Sequence, residues 1–179
     1  MCKLKIVNLF LLSSLILFLN FSCKKTSQTS EEILNEISSE KSKVSAKDID
    51  QIKYTEFALS NLSEKSTQDW LKFKELQEEI DILKKGDLSF FEDDKTILQS
   101  FFKDLKVEIP ESLNIPSILV RLSVLETTVF KLKSTSNINN VNKEILLNAI
   151  KEVLVANSNV ILQMNKKFEK DSQNIEKPN

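Results

Sequence analysis

The chain has 179 residues, of which 41% are hydrophobic and 28% are charged, values typical of one globular domain and not of a disordered chain. Its 25 basic and 26 acidic residues leave no basic excess for nucleic acid, and the absence of histidine removes the commonest general base and metal ligand. A single glycine and three prolines are too few for the many turns of a sandwich or barrel, so we expect an all-α fold.

The N-terminus has the three parts of a secretory leader. Lys3 and Lys5 form a positive start, residues 6–19 form an apolar stretch too short to span a bilayer comfortably, and Ser22 is a small residue before the cleavage point. Cys23 follows at once, and its thiol is the group that lipoprotein processing modifies with lipid. We therefore predict an exported chain lipidated at Cys23. The alternatives are an uncleaved membrane anchor and a buried apolar helix with an incidental cysteine.

This leader resembles those of bacterial lipoproteins. The residues around the cysteine are similar to the lipoboxes of Bacteroidetes, particularly flavobacteria: Leu19-Asn20-Phe21-Ser22-Cys23-Lys24-Lys25. Asn20 stands where the usual pattern has leucine. The resemblance implies an outer-membrane lipoprotein. The resemblance to that group also implies that acidic residues close behind the cysteine would mark a lipoprotein for surface export. Residues 24–28 contain no acidic residue, so we expect the domain to face the periplasm.

Cysteine usage agrees with this reading. Cys2 leaves with the leader and Cys23 takes the lipid, so the mature chain has no free thiol, no disulfide and no thiolate nucleophile. The stability of the domain must therefore come from packing alone.

The rest of the chain divides by composition. After the leader (1–22), the lipidated cysteine and a flexible tether occupy 23–47, a stretch rich in Ser, Lys, Glu and Thr that has little apolar surface to bury. A helical domain is predicted over 48–175, followed by a frayed tail at 176–179. The start of the domain, 48–60, fits neither a helix nor a strand and is expected to be an irregular lead-in that packs on the helices.

Two helices are predicted in the first half of the domain. The first spans about 62–85, where apolar residues recur every three or four positions, and Gly86 ends it in a left-handed cap. The second spans about 90–106, with Asp87 or Asp93 able to cap its start.

Two longer helices follow. The third covers about 115–134, with Pro116 in its first turn and a four-three apolar stripe. The fourth covers about 141–172 and holds one apolar stripe through several turns. Because the connections are short, we predict an antiparallel bundle of about four helices.

The resemblance extends beyond the leader and covers most of residues 50–175. Four stretches look like a group of uncharacterised flavobacterial lipoproteins: Asp87-Leu88-Ser89-Phe90-Phe91, Ile109-Pro110-Glu111, Leu125-Glu126-Thr127 and Leu162-Gln163-Met164-Asn165-Lys166-Lys167. The resemblance implies a localisation and carries no activity.

Acidic residues cluster at Glu92-Asp93-Asp94. Carboxylates are calcium ligands, but the cluster lacks the spacing of a calcium loop, so we favour charge that stabilises a helix N-terminus.

A second acidic group lies on the first predicted helix, at Glu78, Glu79 and Asp81. Paired carboxylates can perform acid–base chemistry, but flanking lysines favour an exposed face of ion pairs. We therefore predict no metal site, no cofactor site and no catalytic residue.

Aromatic residues at helical spacing are expected to form the core. Adjacent phenylalanines, however, cannot both face one narrow stripe, so some ring surface should remain available to a ligand or partner. The candidate partner surface comprises Trp70, Phe90, Phe91 and Arg121.

Two polar residues on the long helices stand out. Arg121 is the only arginine, and a salt bridge to Glu126 or to an acid on another helix competes with capture of an anionic ligand. Asn157 lies on the apolar stripe of the fourth helix, where a paired amide can fix helix register, or serve as a binding contact.

These features disfavour an enzyme, because the mature domain beyond Cys23 has no histidine, no cysteine and no glycine-rich phosphate loop. The leading hypothesis is a lipid-tethered helical scaffold that binds another envelope protein. The alternatives are a module that binds a lipid or other apolar ligand between its helices, and a surface-displayed adhesin. Nucleic acid is not an expected partner, and the oligomeric state is left open.

Overall fold

The computed structural model describes residues 44–173, which belong to one compact unit. The leader, Cys23, most of the predicted tether and the tail at 176–179 lie outside the described residues. Within residues 44–173 the chain forms seven α-helices in order: α1 (Ala46–Asp50), α2 (Asn61–Ser66), α3 (Leu71–Lys84), α4 (Ser89–Glu92), α5 (Lys95–Val107), α6 (Pro116–Ser136) and α7 (Lys143–Ser172). No strand occurs within this range, so the all-α class is confirmed.

The prediction of one continuous first helix is wrong, because a turn at residues 67–70 divides it into α2 and α3. Trp70 leaves the helical conformation, with φ −87° and ψ 81°. Its indole is fully buried and Nε1 donates to the carbonyl oxygen of Leu105 at 3.0 Å. Burial of the ring and its hydrogen bond therefore stabilise the turn at this point more than an unbroken helix would.

The second predicted helix is also divided, into α4 and α5. Asp93 and Asp94 have extended ψ angles of 169° and 143°. The carboxylate of Asp94 accepts from the backbone N–H of Thr96 at 2.7 Å and caps α5. Aspartate side chains often offer the backbone such an alternative to helix continuation, which explains the break.

The helices α6 and α7 agree with prediction to within two residues at each end, and Pro116 occupies the first turn of α6. The two helices run antiparallel. Lys131 Nζ lies 2.6 Å from Glu152 Oε1 near one end, and Gln163 Nε2 lies 3.4 Å from Ser117 Oγ near the other. Their facing stripes are buried and form the centre of the core: Ile118, Leu122, Leu125, Val129, Leu132, Leu146, Ile150, Val153, Val160 and Met164.

The predicted boundary between tether and domain is too late in the chain. Val44 is only 8% exposed, and α1 begins at Ala46. Ser45 and Asp48 cap α1 reciprocally, since each side chain bonds the backbone N–H of the other. Only Ile49 is buried on this short helix, so the segment has too few apolar positions to predict a helix from periodicity.

Gly86 follows α3 and has a φ of +91°, which confirms the predicted left-handed cap. A Cβ atom at this position would lie 3.0 Å from the backbone nitrogen of Ala46. The glycine therefore allows both the turn after α3 and the close approach of α1.

Helix α7 is long and apolar enough, by length and composition, to cross a membrane. Over the relevant window 56% of it is buried inside the folded unit. The core helix of a soluble protein passes the same test, so the apolar stripe of α7 is accounted for by packing within residues 44–173.

Candidate functional site

The predicted aromatic partner surface is mostly core. Trp70 and Phe91 are fully buried, so the prediction that they form part of an accessible surface is wrong. Phe90 is partly buried and packs edge-on against Phe91 and Phe101, with ring centroids 5.1 and 5.0 Å apart. The adjacent rings avoid the expected conflict because they pack on each other across α4 and α5 and do not share one stripe.

Arg121 is exposed on α6. The predicted bridge to Glu126 is wrong, because Glu126 Oε2 lies 2.5 Å from Lys106 Nζ on α5. Arg121 takes part in none of the ion pairs found among residues 44–173. It remains a candidate contact on the outer surface.

The acidic groups have local structural roles. Asp94 caps α5, as described above, and Asp81 lies 3.4 Å from Lys84. Partial burial raises the pKa of Glu79, and the neighbouring charges of Glu75 and Asp87 raise it further. Within the described range no group of three or more His, Cys, Asp or Glu residues is arranged to hold a metal ion.

Asn157 lies 6% exposed on α7 and has an amide partner on α3. Its Nδ2 donates to Gln77 Oε1 at 3.0 Å, and Gln77 Nε2 donates back to Asn157 Oδ1 at 3.0 Å. A reciprocal amide pair fixes the position of one helix against the other, because a shift along either axis breaks both bonds. Both side chains line a cleft beside the segment that joins α1 to α2.

Residues 52–60, here called the strap, link α1 to α2 without helical structure and line a cleft together with residues of α3 and α7. Every second or third residue of the strap turns toward the core and is partly buried: Ile52, Tyr54, Phe57 and Leu59. The predicted irregular lead-in at 48–60 agrees with the strap, whereas residues 48–50 belong to α1.

The strap main chain is held by side chains of α7. The Ser158 hydroxyl donates to the carbonyl oxygen of Thr55 at 2.8 Å and accepts from the N–H of Phe57 at 2.9 Å. One hydroxyl thus satisfies the two main-chain groups that face the same side of an extended chain.

Asn165 repeats this arrangement two helical turns later. Its Nδ2 donates to the carbonyl oxygen of Ala58 at 2.8 Å, and its Oδ1 accepts from the N–H of Ser60 at 2.8 Å. Seven helical residues rise about 10.5 Å and three extended residues span about 10 Å. The two contacts therefore stay in register, with the strap running parallel to α7.

A cleft of about 380 Å³ lies along the strap. Gln77, Asn157 and Ser158 contribute polar groups to its lining, and Ile80 and Ile161 contribute apolar ones. We call the surface of α3 and α7 that faces the strap the strap groove.

Charged groups hold the outer edge of the strap. Lys84 of α3 makes a short ion pair with Glu56. Partial burial acts to lower the pKa of Lys84, but the hydrogen bond to Glu56 and nearby negative charge outweigh it and raise that pKa. Burial and the charge of Glu56 also raise the pKa of Tyr54. The lysine therefore stays charged and the phenol neutral at ordinary pH.

Sequence reasoning identified Asn157 but missed Ser158 and Asn165. The sequence contained an indication of both residues, because three polar residues on the inner side of a long apolar helix require hydrogen-bond partners. The partners could not be named, because the hydrogen bonds from α7 to the strap join residues more than 100 positions apart in the chain.

Searches against protein-family models, curated proteins and solved structures find no match to the chain.

Proposed function

We propose that the protein is a lipid-anchored lipoprotein of the cell envelope whose helical domain acts without catalysis, as a module that binds another protein. The observation that carries the proposal is the leader that ends at Ser22-Cys23. Residues 24–43 lie between that cysteine and the first described residue, and fully extended they would reach roughly 70 Å. Such a reach would let the domain meet partners away from the bilayer.

The fold part of the proposal is that α3, α5, α6 and α7 form an antiparallel bundle, to which the shorter helices and the strap are added. The antiparallel contacts between α6 and α7 support this arrangement. The Trp70 indole bond to Leu105 joins the start of α3 to the end of α5. That contact supports an antiparallel path for these two helices as well.

A binding role is supported by the character of the strap groove. Its hydrogen-bonding groups include the Ser158 hydroxyl and the Asn165 amide, which bond main-chain groups of the strap, and the Gln77–Asn157 amide pair. Recognition of extended main chain is a common mode of protein–protein contact. The groove is therefore the part of the domain best suited to an interaction.

The anchor is tested by fractionation of cells that make the Cys23→Ser variant. The unaltered chain is expected in the membrane fraction, and Cys23→Ser should lose its lipid and leave that fraction or keep its uncleaved leader. Cys2→Ser, which changes the other cysteine, is the matched control and should behave as the unaltered chain. Equal, processed membrane association of Cys23→Ser would contradict the proposal.

The binding role is tested by cross-linking in living cells, followed by identification of the linked peptides. Repeated linkage of one protein to residues on the folded unit supports the proposal. Recovery of the chain with no linked protein at all would contradict it.

A further inference from the structure

The turn that joins α6 to α7 holds an isoleucine in an exposed position. Ile138 is 56% exposed, although its N–H donates to the carbonyl oxygen of Thr135 and its own carbonyl accepts from the N–H of Val141, both at 3.2 Å. Asn140 has a φ of 57°, and the Asn142 side chain caps the first turn of α7. The hydrogen-bonded turn therefore fixes the exposure of Ile138. Residues 134–142 are here called the hairpin tip.

A second exposed isoleucine lies beside the hairpin tip. Ile145 is 55% exposed and belongs to the first turn of α7. Because the Cα–Cβ bonds of a helix tilt toward its N-terminus, Ile145 leans toward the tip. Val141, which is 8% exposed, supplies the contact of the tip with the core. The two isoleucines therefore present apolar surface that the fold itself does not use.

The hairpin tip differs from other exposed apolar positions in its charge. Residues 134–142 contain no acidic or basic residue. Leu71 and Val107 are more exposed, at 69% and 73%, but Leu71 precedes Lys72, and Val107 lies between Lys106 and Glu108. Transfer of an ionised group out of water is costly. The tip can therefore enter the interfacial layer of a bilayer without burying a charge of its own.

The tip also lies at the end of the folded unit where the chain from Cys23 enters it. The unit begins at Val44, and four residues later Asp48 pairs at 2.7 Å with Lys143, the first residue of α7. The other end of α6 is roughly 30 Å away, because this helix has 21 residues. A tether attached at Val44 therefore brings the tip, and not the far end of α6, nearest to the lipid.

We propose that the hairpin tip is a lipid-contacting site, which places Ile138 and Ile145 in the interfacial layer of the membrane that carries the anchor. The inference rests on the proposed function, since lipid on Cys23 supplies the high local concentration that makes a contact by two side chains effective. The contact is reversible, so the domain alternates between the membrane surface and the reach of its tether. Exposed apolar surface next to a membrane attachment is expected to serve such a contact.

The test places a nitroxide spin label on the hairpin tip of the full chain. Asn139→Cys leaves both isoleucines unchanged, and in the processed lipoprotein its thiol is the single free one. Asn114→Cys, an exposed asparagine just before α6, gives the matched label at the far end. Each chain is purified as its cells process it and is placed in vesicles of phosphatidylethanolamine and phosphatidylglycerol. Access of oxygen, which is enriched in lipid, is compared with access of a water-soluble nickel chelate.

The expected result is that the label at 139 gains oxygen access and loses access to the chelate, while the label at 114 stays in water. Ile138→Asn with Ile145→Asn should lower the ratio of lipid-contacting to water-exposed tips by about tenfold. Leu71→Asn with Val107→Asn, the same change at exposed positions outside the tip, is the control and should not alter it. If the double tip variant does not fold, as judged by circular dichroism, Ile138→Asn alone replaces it, with a smaller expected decrease.

Three results would overturn the proposal. A label at 139 as open to the chelate as the label at 114 would show that the tip stays in water. A label at 139 shielded from both reagents would show that protein, and not lipid, covers the tip. An equal effect of the control pair would show that the contact is not specific to the tip. The mass of each chain reports separately whether Cys23 carries lipid, so a lipidated chain with its tip in water contradicts this inference alone, whereas a chain without lipid contradicts the anchor as well.

Discussion

Gln77 and Asn157 hold each other through two hydrogen bonds of 3.0 Å between α3 and α7. Among residues 44–173, every buried side-chain nitrogen and oxygen has a hydrogen-bond partner. The consequence is that loss of one member leaves the other amide partly buried without its partner, whereas loss of both does not.

The first prediction follows from this asymmetry. Asn157→Leu alone should lower the free energy of unfolding by roughly 1–3 kcal/mol, because the Gln77 amide loses its partner. The double variant with Gln77→Leu should recover much of that loss. Urea denaturation of the single and double variants measures the coupling. Strictly additive losses would show that the two amides do not interact in solution.

A second prediction concerns the strap. Asn165→Ala removes the bonds to Ala58 and Ser60, each worth about 0.5–1.5 kcal/mol. Hydrogen exchange at the Ser60 amide should become faster, while the buried amides of α6 should keep their protection. Gln163→Ala, which changes a neighbouring residue of α7 outside the groove, is the control. Unchanged exchange at Ser60 would mean that the strap is held by other contacts.

A third prediction concerns Gly86. Gly86→Ala places a Cβ atom 3.0 Å from the backbone nitrogen of Ala46, at a φ of +91°. We expect a loss of roughly 1–3 kcal/mol in the free energy of unfolding, because neither the turn nor the approach of α1 can be kept without strain. Thermal or urea denaturation measures this loss.

The control for that prediction is Asn140→Gly. Asn140 has a φ of 57°, and glycine adopts this conformation without steric cost. Stability should therefore change by less than about 1 kcal/mol. A Gly86→Ala variant as stable as Asn140→Gly would contradict the described turn.

A fourth prediction concerns acid. Hydrogen bonds from Lys143 and Ser45 hold the pKa of Asp48 well below its usual range, and bonds from residues of their own turns lower the pKa values of Asp87 and Asp94. A lowered folded-state pKa contributes stability above the unfolded pKa of about 3.9 and loses it as the pH falls further. Stability should therefore decline below about pH 4.

The Asp48→Asn variant isolates the largest of these contributions. It should be less stable than the unaltered chain at pH 7 and should show a weaker decline between about pH 4 and pH 2. Urea denaturation over this pH range measures both effects. A decline as steep as that of the unaltered chain would show that Asp48 does not contribute through its charge.

Much of the fold could be predicted from local signals. The buried stripe of α6, the proline in its first turn and the left-handed Gly86 each follow from residues that are close in sequence. The breaks at Trp70 and at Asp93–Asp94 could not be predicted in the same way. They depend on a long-range bond to Leu105 in the first case, and on competition between a side-chain cap and helix continuation in the second.

The strap groove could be predicted from the sequence only in small part. The strap residues Ile52, Tyr54, Phe57 and Leu59 follow neither a helical nor a strict strand period, because their main chain is held by side chains and by no neighbouring strand. The sequence therefore indicated a packed, irregular segment but not its register on α7. Ser158 and Asn165 acquire a role only when the two ends of the domain come together.

The proposed role requires that lipid on residue 23 hold this helical domain at a membrane. Mass spectrometry of the N-terminal peptide, prepared from chain extracted from the membranes of its own cells, tests that claim most directly. We expect a peptide that begins at Cys23 and carries a diacylglycerol group on its sulfur. A peptide that begins at Met1, or one that contains an unmodified Cys23, would contradict it.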